Sequence, residues 1–183
     1  MRLIGMLDSP YVRRVAVSLK FLRLPFTHEP VSVFSHFDGF AGINPVVKAP
    51  TLVLDDGTTL MDSSLILDHL ERLASSEHRL MPDDPGDHAR VQRLTGLALA
   101  ACEKTVPIVY EHELRPIEKR YQPWIDRVHG QLLAAYRLLG AEIGSGRQWL
   151  VGRRATQADI SAAVAWRFTQ SMLADMVRAD GHW

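Results

Sequence analysis

Three short stretches carry the residue types from which a site for an anionic, peptide-like ligand could be built. In "MLDSPYVRRVAV", residues 6 to 17, Ser9 stands directly before Pro10, where an apolar run ends and a helical period begins. Proline suits the first helical position, which makes Ser9 the natural N-cap. The same helix start turns backbone N–H groups and the positive end of the dipole toward Ser9, so an anion is favoured there. A thiolate is one such anion. Shifting a bound thiol from about 8.5 to about 6.5 takes roughly 2.7 kcal/mol of preferential stabilisation. A helix terminus supplies about 0.3 to 1 kcal/mol of that, and a directed O–H to sulfur hydrogen bond, at about 1.5 to 3 kcal/mol, can supply the remainder. Ser9 therefore reads either as a cap only or as a thiolate stabiliser.

The second stretch is "NPVVKAPTL", where Ala49-Pro50 follows a loop and precedes a strand. A cis proline here would turn the chain and leave the N–H and C=O of Ala49 open to an extended ligand; an ordinary trans proline opening a strand is the alternative. The third is "LMDSSLIL", where Asp62-Ser63 either caps a helix or offers a hydroxyl and free N–H groups to a carboxylate.

Positioning these stretches requires particular elements. Arg2 to Leu7 is a short apolar run of strand length, and Val12, Val15, Ala16 and Leu19 then repeat with the period of an amphipathic helix. Phe26 to Val33 reads as a second strand, placed at an edge or bulge by Pro30. Ser35 to Ile43 is a loop or short irregular helix. Thr51 to Leu54 and Thr58 to Met61 flank Asp55-Asp56-Gly57, a hairpin signal, and the helix after Asp62 has Leu65, Ile66, Leu70 and Leu73 as its apolar face. The expected fold is α/β plus all-α. Residues 1–75 form a β-α-β-β-β-α domain, 76–86 a linker, and 87–183 a helical domain. The helical part holds one long helix from 87 to about 115, bent or divided by Pro107, and a second over 121–144. A third follows Thr156 and Asp159, which have capping-box spacing.

Composition narrows the function. A chain of 183 residues with 46% hydrophobic content buries a proper core, and 21 basic against 21 acidic residues leave no global field to gather nucleic acid or an anionic membrane. No stretch approaches the length of a membrane span and no signal-type block opens the chain, so a cytoplasmic location is expected. The single cysteine, Cys102, excludes an internal disulfide and a CxxC pair, so a reacting thiol would belong to a ligand. Cys102 itself reads as a buried small hydrophobe. The eight histidines show no metal-ligand spacing, and no metal is expected.

In a β-α-β-β-β-α domain the three stretches come to one end of the sheet. This set resembles the glutathione transferase superfamily: "SPYVRRV" with Ser9 and Arg13, "NPVVKAPTL" with Pro50, "LMDSSLIL" with Asp62-Ser63, and "VGRRATQADIS" as the capping box of the helical domain. The resemblance spans essentially the whole chain. It implies a thioredoxin-like domain followed by a helical domain, with reduced glutathione as co-substrate along the first and a small hydrophobic electrophile in the cleft between them. Ser9 takes the place of the serine that hydrogen-bonds the sulfur, and Arg13 orients or electrostatically supports that site. Ala49, beside a cis Pro50, pairs with the cysteinyl part; Lys48 reaches the glycine carboxylate; Asp62 and Ser63 hold the γ-glutamyl end. Tyr11, Tyr110 and His112 are the candidates for the electrophile site, each equally readable as a packed aromatic. The resemblance further implies a two-fold homodimer, and leaves open a glutathione-dependent isomerase or a non-catalytic binding module. Family members continue with further helices where this chain reads "ADMVRADGHW", which leaves Met176 and Trp183 expected to lack cover.

Overall fold

The computed structural model describes residues 1–143 and 148–177. The chain divides into two units, Met1–Met81 and Pro82–Trp183, each with its own core. The first unit runs β1 (Arg2–Ile4), α1 (Pro10–Phe21), β2 (Thr27–Glu29), α2 (Phe37–Ile43), β3 (Thr51–Val53), β4 (Thr59–Met61) and α3 (Ser63–Leu73). Its sheet has the order β2-β1-β3-β4, with β2 parallel to β1 and the other pairs antiparallel. This is the expected element order of a thioredoxin-like domain.

The strands are shorter than the apolar runs suggest, for local reasons. β1 ends because Gly5 adopts φ +132°, a conformation that side chains rarely take, and the chain turns away toward Ser9. β2 ends before Pro30, which has no N–H for a ladder. Between β3 and β4, Leu54 N–H donates to Thr58 O at 2.9 Å across a turn completed by Gly57 at φ +88°.

The α1 stripe is as expected, with Val12, Val15, Ala16 and Leu19 all buried beside Leu3, Ile4 and Leu52. The face of α3 differs. Ile66, Leu67 and Leu70 are buried, continuing Ser63 at helical spacing, whereas Leu65 is 68% and Leu73 51% exposed. Leu65 and Leu73 fall outside the i, i+3, i+4, i+7 series that starts at Ser63. The stretch 35–43 resolves into the short helix α2.

In the second unit α4 (Pro85–Glu113) packs against both α5 (Gln122–Glu142) and α6 (Gln157–Met172). α4 starts inside the expected linker because Asp84 accepts from Asp87 N–H at 2.9 Å and Pro85 takes the first helical position. A single 3₁₀ turn, Ser76–His78, precedes it. Pro107 lies within α4 and does not divide it; the helix is held on either side of the proline by buried Thr105, Ile108 and Val109. At the centre, Tyr136 Oη lies 2.6 Å from Thr169 Oγ1, which lies 2.8 Å from Thr105 Oγ1, whose hydroxyl donates to Ala101 O. This buried chain joins all three helices, and burial pushes the Tyr136 phenol upward. Cys102 is buried in the same core. Met176 presents its carbonyl to His129 Nε2 at 3.1 Å, while Trp183 lies outside the described residues. Among the described residues, no helix is long and apolar enough to cross a membrane.

Asp159 governs the start of α6. Its Oδ2 accepts from both the N–H and the hydroxyl of Thr156 at 2.8 Å, and its Oδ1 accepts from Leu150 N–H at 2.8 Å. Asp159→Ala should lower stability by about 1–2 kcal/mol. A urea titration checks it: the midpoint falls while the slope stays constant.

Candidate functional site

The registers bring the three stretches together. Ile4, the last residue of β1, pairs with Thr51, the first of β3, and Thr51 pairs with Met61, the last of β4. The segment leaving β1 toward Ser9, the segment entering β3 through Ala49-Pro50, and the segment leaving β4 through Asp62-Ser63 therefore emerge at one end of the sheet. Gly5 and Ala49 are neighbours there, since a Cβ built on Gly5 would lie 3.2 Å from the Ala49 Cβ.

Ser9 is the N-cap of α1. Its Oγ accepts from Val12 N–H at 3.4 Å, a long bond that engages one lone pair and leaves the hydroxyl proton to another partner. Ser9 N–H is held by Met6 O at 3.2 Å and Asp8 Oδ1 at 2.7 Å, so the cap is fixed from its own backbone. Arg13 Nε donates to Leu7 O at 2.8 Å, bracing the turn that carries Ser9. His28 Nε2 lies 2.8 Å from Gly5 O on the other side of that turn.

The Ala49–Pro50 peptide is cis. Pro50 is buried and Ala49 half-buried, and neither the N–H nor the C=O of Ala49 joins another backbone group among the described residues. Two buried side chains shape this approach. Asn44 Nδ2 donates to Thr51 Oγ1 at 2.9 Å, and Thr51 Oγ1 donates to Lys48 O at 2.7 Å. Lys48 turns its ammonium toward Asp62, with Nζ 3.8 Å from Oδ2. Asp62 takes φ +71° and caps α3, its Oδ1 accepting from Ser64 N–H at 2.9 Å. Ser63 is buried at the first position of α3, and its hydroxyl accepts from Arg14 Nη1 at 3.0 Å.

Arg14, Asn44, Thr51 and Gly5 are absent from the sequence-based site. Only Gly5 carried a local signal, a glycine at the end of a strand-like run. Of the residues expected to meet an electrophile, Tyr11 lies on α1 in the first unit, while Tyr110, 44% exposed, and half-buried His112 lie in the last turn of α4 in the second. Among the described residues, no three His, Cys, Asp or Glu side chains cluster as metal ligands would.

A thioredoxin-like unit with two capped helix starts and an open backbone edge at one end of its sheet, followed in sequence by a helical unit, is the architecture of the glutathione S-transferases. The chain belongs to the glutathione S-transferase superfamily: residues 3–78 match the family's N-terminal domain and residues 122–181 its C-terminal domain. A solved glutathione S-transferase from Methylobacterium radiotolerans, in complex with glutathione sulfonate, superposes with a TM-score of 0.88 at 28% identity, covering 95% of this chain and 81% of that one. Among curated relatives, the GST-like protein YibF of Escherichia coli is 31% identical over 98 residues, 54% of this chain and 48% of YibF. FtsZ-localized protein A of Caulobacter vibrioides is 29% identical over 168 residues, 85% of this chain and 71% of that protein. The chain spans about half the length, or less, of most curated relatives it matches.

Gly5 is the position where the site depends on the absence of a side chain. An added Cβ would meet Val12 Cγ2 at 2.7 Å, at a φ already unfavourable for other residues. Gly5→Ala should destabilise the protein by about 1–3 kcal/mol. Chemical denaturation measures the effect, as a lower midpoint at constant slope.

Proposed function

We propose that this protein is a serine-type glutathione transferase that binds reduced glutathione in the first unit and activates its thiol for attack on a small hydrophobic electrophile. The reading is carried by the arrangement of Ser9, Ala49 and Asp62-Ser63 at one end of the sheet, fixed by the pairing of Ile4, Thr51 and Met61. Family membership and glutathione-type ligands in structural relatives support it.

Each recognition element has a physical role. The backbone of Ala49 pairs with the cysteinyl residue in the manner of an added strand, which sets the direction of the peptide. The γ-glutamyl end carries both a carboxylate and an ammonium. Ser63 and the N–H groups of α3 suit the carboxylate, and Asp62 suits the ammonium. Lys48 is assigned to the glycine carboxylate, leaving its pairing with Asp62 to do so. At the sulfur, the start of α1 favours the anion and the Ser9 hydroxyl donates its proton into a hydrogen bond without transferring it. Arg13 contributes by holding the Leu7 carbonyl and with it the Ser9 turn. The thiol proton leaves to solvent, and the sulfur lone pair forms a bond to electrophilic carbon, either as a leaving group departs with its bonding pair or by addition to a polarised double bond, whose π pair passes to the neighbouring carbon and takes up a proton from solvent. Tyr11, Tyr110 and His112 are proposed to meet the electrophile, on the resemblance alone. The same apparatus serves isomerisation by reversible thiol addition, and a homodimer is proposed on the same family grounds.

A second reading, a glutathione-binding module without turnover, is favoured by one observation: a relative that aligns with 85% of this chain bears the name FtsZ-localized protein A, a location and not a reaction. Calorimetry with glutathione and turnover of a chloronitrobenzene separate the two. The transferase reading predicts that Ser9→Ala keeps glutathione affinity within a few-fold and lowers kcat/KM by about tenfold to a hundredfold, the worth of one hydrogen bond to a charged group. Binding without turnover in wild type supports the module, and absence of glutathione binding contradicts both. Light scattering at twice the chain mass is the expected result for the dimer, and monomer mass contradicts it.

A further inference from the structure

Arg14 lies one residue beyond Arg13 on α1, yet its environment is different. It is only 3% exposed, and its Nη1 donates to two hydroxyls at the start of α3: Ser63 Oγ at 3.0 Å and Ser64 Oγ at 3.1 Å. A guanidinium has no acceptor and keeps its charge at any ordinary pH. Both serine hydroxyls must therefore accept from it, and the proton of each is directed elsewhere. Ser64 N–H is already committed to Asp62 Oδ1. What remains at this helix start is two hydroxyl protons not spent on Arg14, those of buried Ser63 and exposed Ser64, with a buried positive charge behind them.

From this we infer that Arg14 is a positioning residue for the glutamyl subsite: it fixes the Ser63 and Ser64 hydroxyls as donors toward the ligand's α-carboxylate. Without such a partner a serine hydroxyl rotates among donor and acceptor roles and turns back to the helix backbone. With it, the orientation is set before the ligand arrives, which removes an ordering cost from binding. Because Arg14 stands on the helix capped by Ser9, the same side chain also ties the sulfur end of the site to the glutamyl end. The inference rests on the glutathione-binding reading above.

The test is a set of binding titrations with glutathione on the intact protein, with folding of each variant checked by circular dichroism and a urea midpoint. Arg14→Gln should weaken the Kd for glutathione about tenfold, the scale of one charge-assisted hydrogen bond. Arg14→Lys, which keeps a buried cationic donor, should recover most of that loss. In a background carrying Ser63→Ala and Ser64→Ala, already weak, the change from Arg14 to Gln should alter the Kd less than about twofold, since the groups through which it acts are gone. Should Arg14→Gln fail to fold, Arg14→Met, which likewise removes the charge and the donor, completes the cycle in both backgrounds, its loss being expected only where the hydroxyls are present. An unchanged Kd in the variants that remove the Arg14 charge, or an equal loss with and without the two hydroxyls, overturns the inference while leaving glutathione binding intact. A wild-type protein that does not bind glutathione overturns the functional reading and this inference with it.

Discussion

A guanidinium on α1, buried, donates to the two hydroxyls that open α3, and the site proposed for the first unit is built on that contact. The sheet alone could not define the site, because each of its strands is only three residues long. Short ladders set which segments emerge together, but the angles at which they emerge are fixed by side chains. Arg14 sets α1 against α3; Asn44 and Thr51 shape the approach to cis Pro50; Arg13 and His28 brace the turn before Ser9 from two sides. All of these bonds reach across the fold or a turn, so side chains on α1, β2, β3 and α3 complete the shaping that the short strands begin.

The geometry at Ser9 also removes an apparent choice. A capping serine spends a lone pair, whereas a serine that stabilises a thiolate spends a proton, and the hydroxyl has both. The cap bond to Val12 N–H, at 3.4 Å, is the weaker use of the oxygen, and the N–H of Ser9 is separately anchored. Capping and thiolate stabilisation are compatible in one residue. In the proposed function the helix start favours the anion and the hydroxyl donates to it, so the two contributions would act on the same sulfur.

Much of this was legible in the sequence because it is local. The Ser9-Pro10 start of α1, the Val12–Leu19 stripe, the Asp-Gly turn and the Thr156/Asp159 box each depend on residues within a few positions of one another. Strand ends were less legible, since they depend on Gly5 at positive φ and on where Pro30 denies a ladder bond. The buried face of α3 was misjudged because Leu65 and Leu73 are as apolar as Ile66 and Leu70, and only packing against α1 and the sheet selects between them. Arg14 was invisible for a related reason. Its partners lie 49 and 50 residues away, and beside Arg13 it looks like one of two exposed basic residues. Asn44 and Thr51, seven residues apart, similarly read as loop and strand positions until the turn between them closes.

The central claim is that one end of a small sheet holds glutathione with its sulfur ionised by the start of α1. The most direct measurement is the ultraviolet difference titration of the bound thiol across pH, against free glutathione under the same conditions. The account predicts half-ionisation about two pH units below that of the free thiol, the shift for which a helix start and one hydroxyl donor suffice together. Bound glutathione that ionises at the same pH as free glutathione would contradict it, leaving Ser9 a helix cap and nothing more.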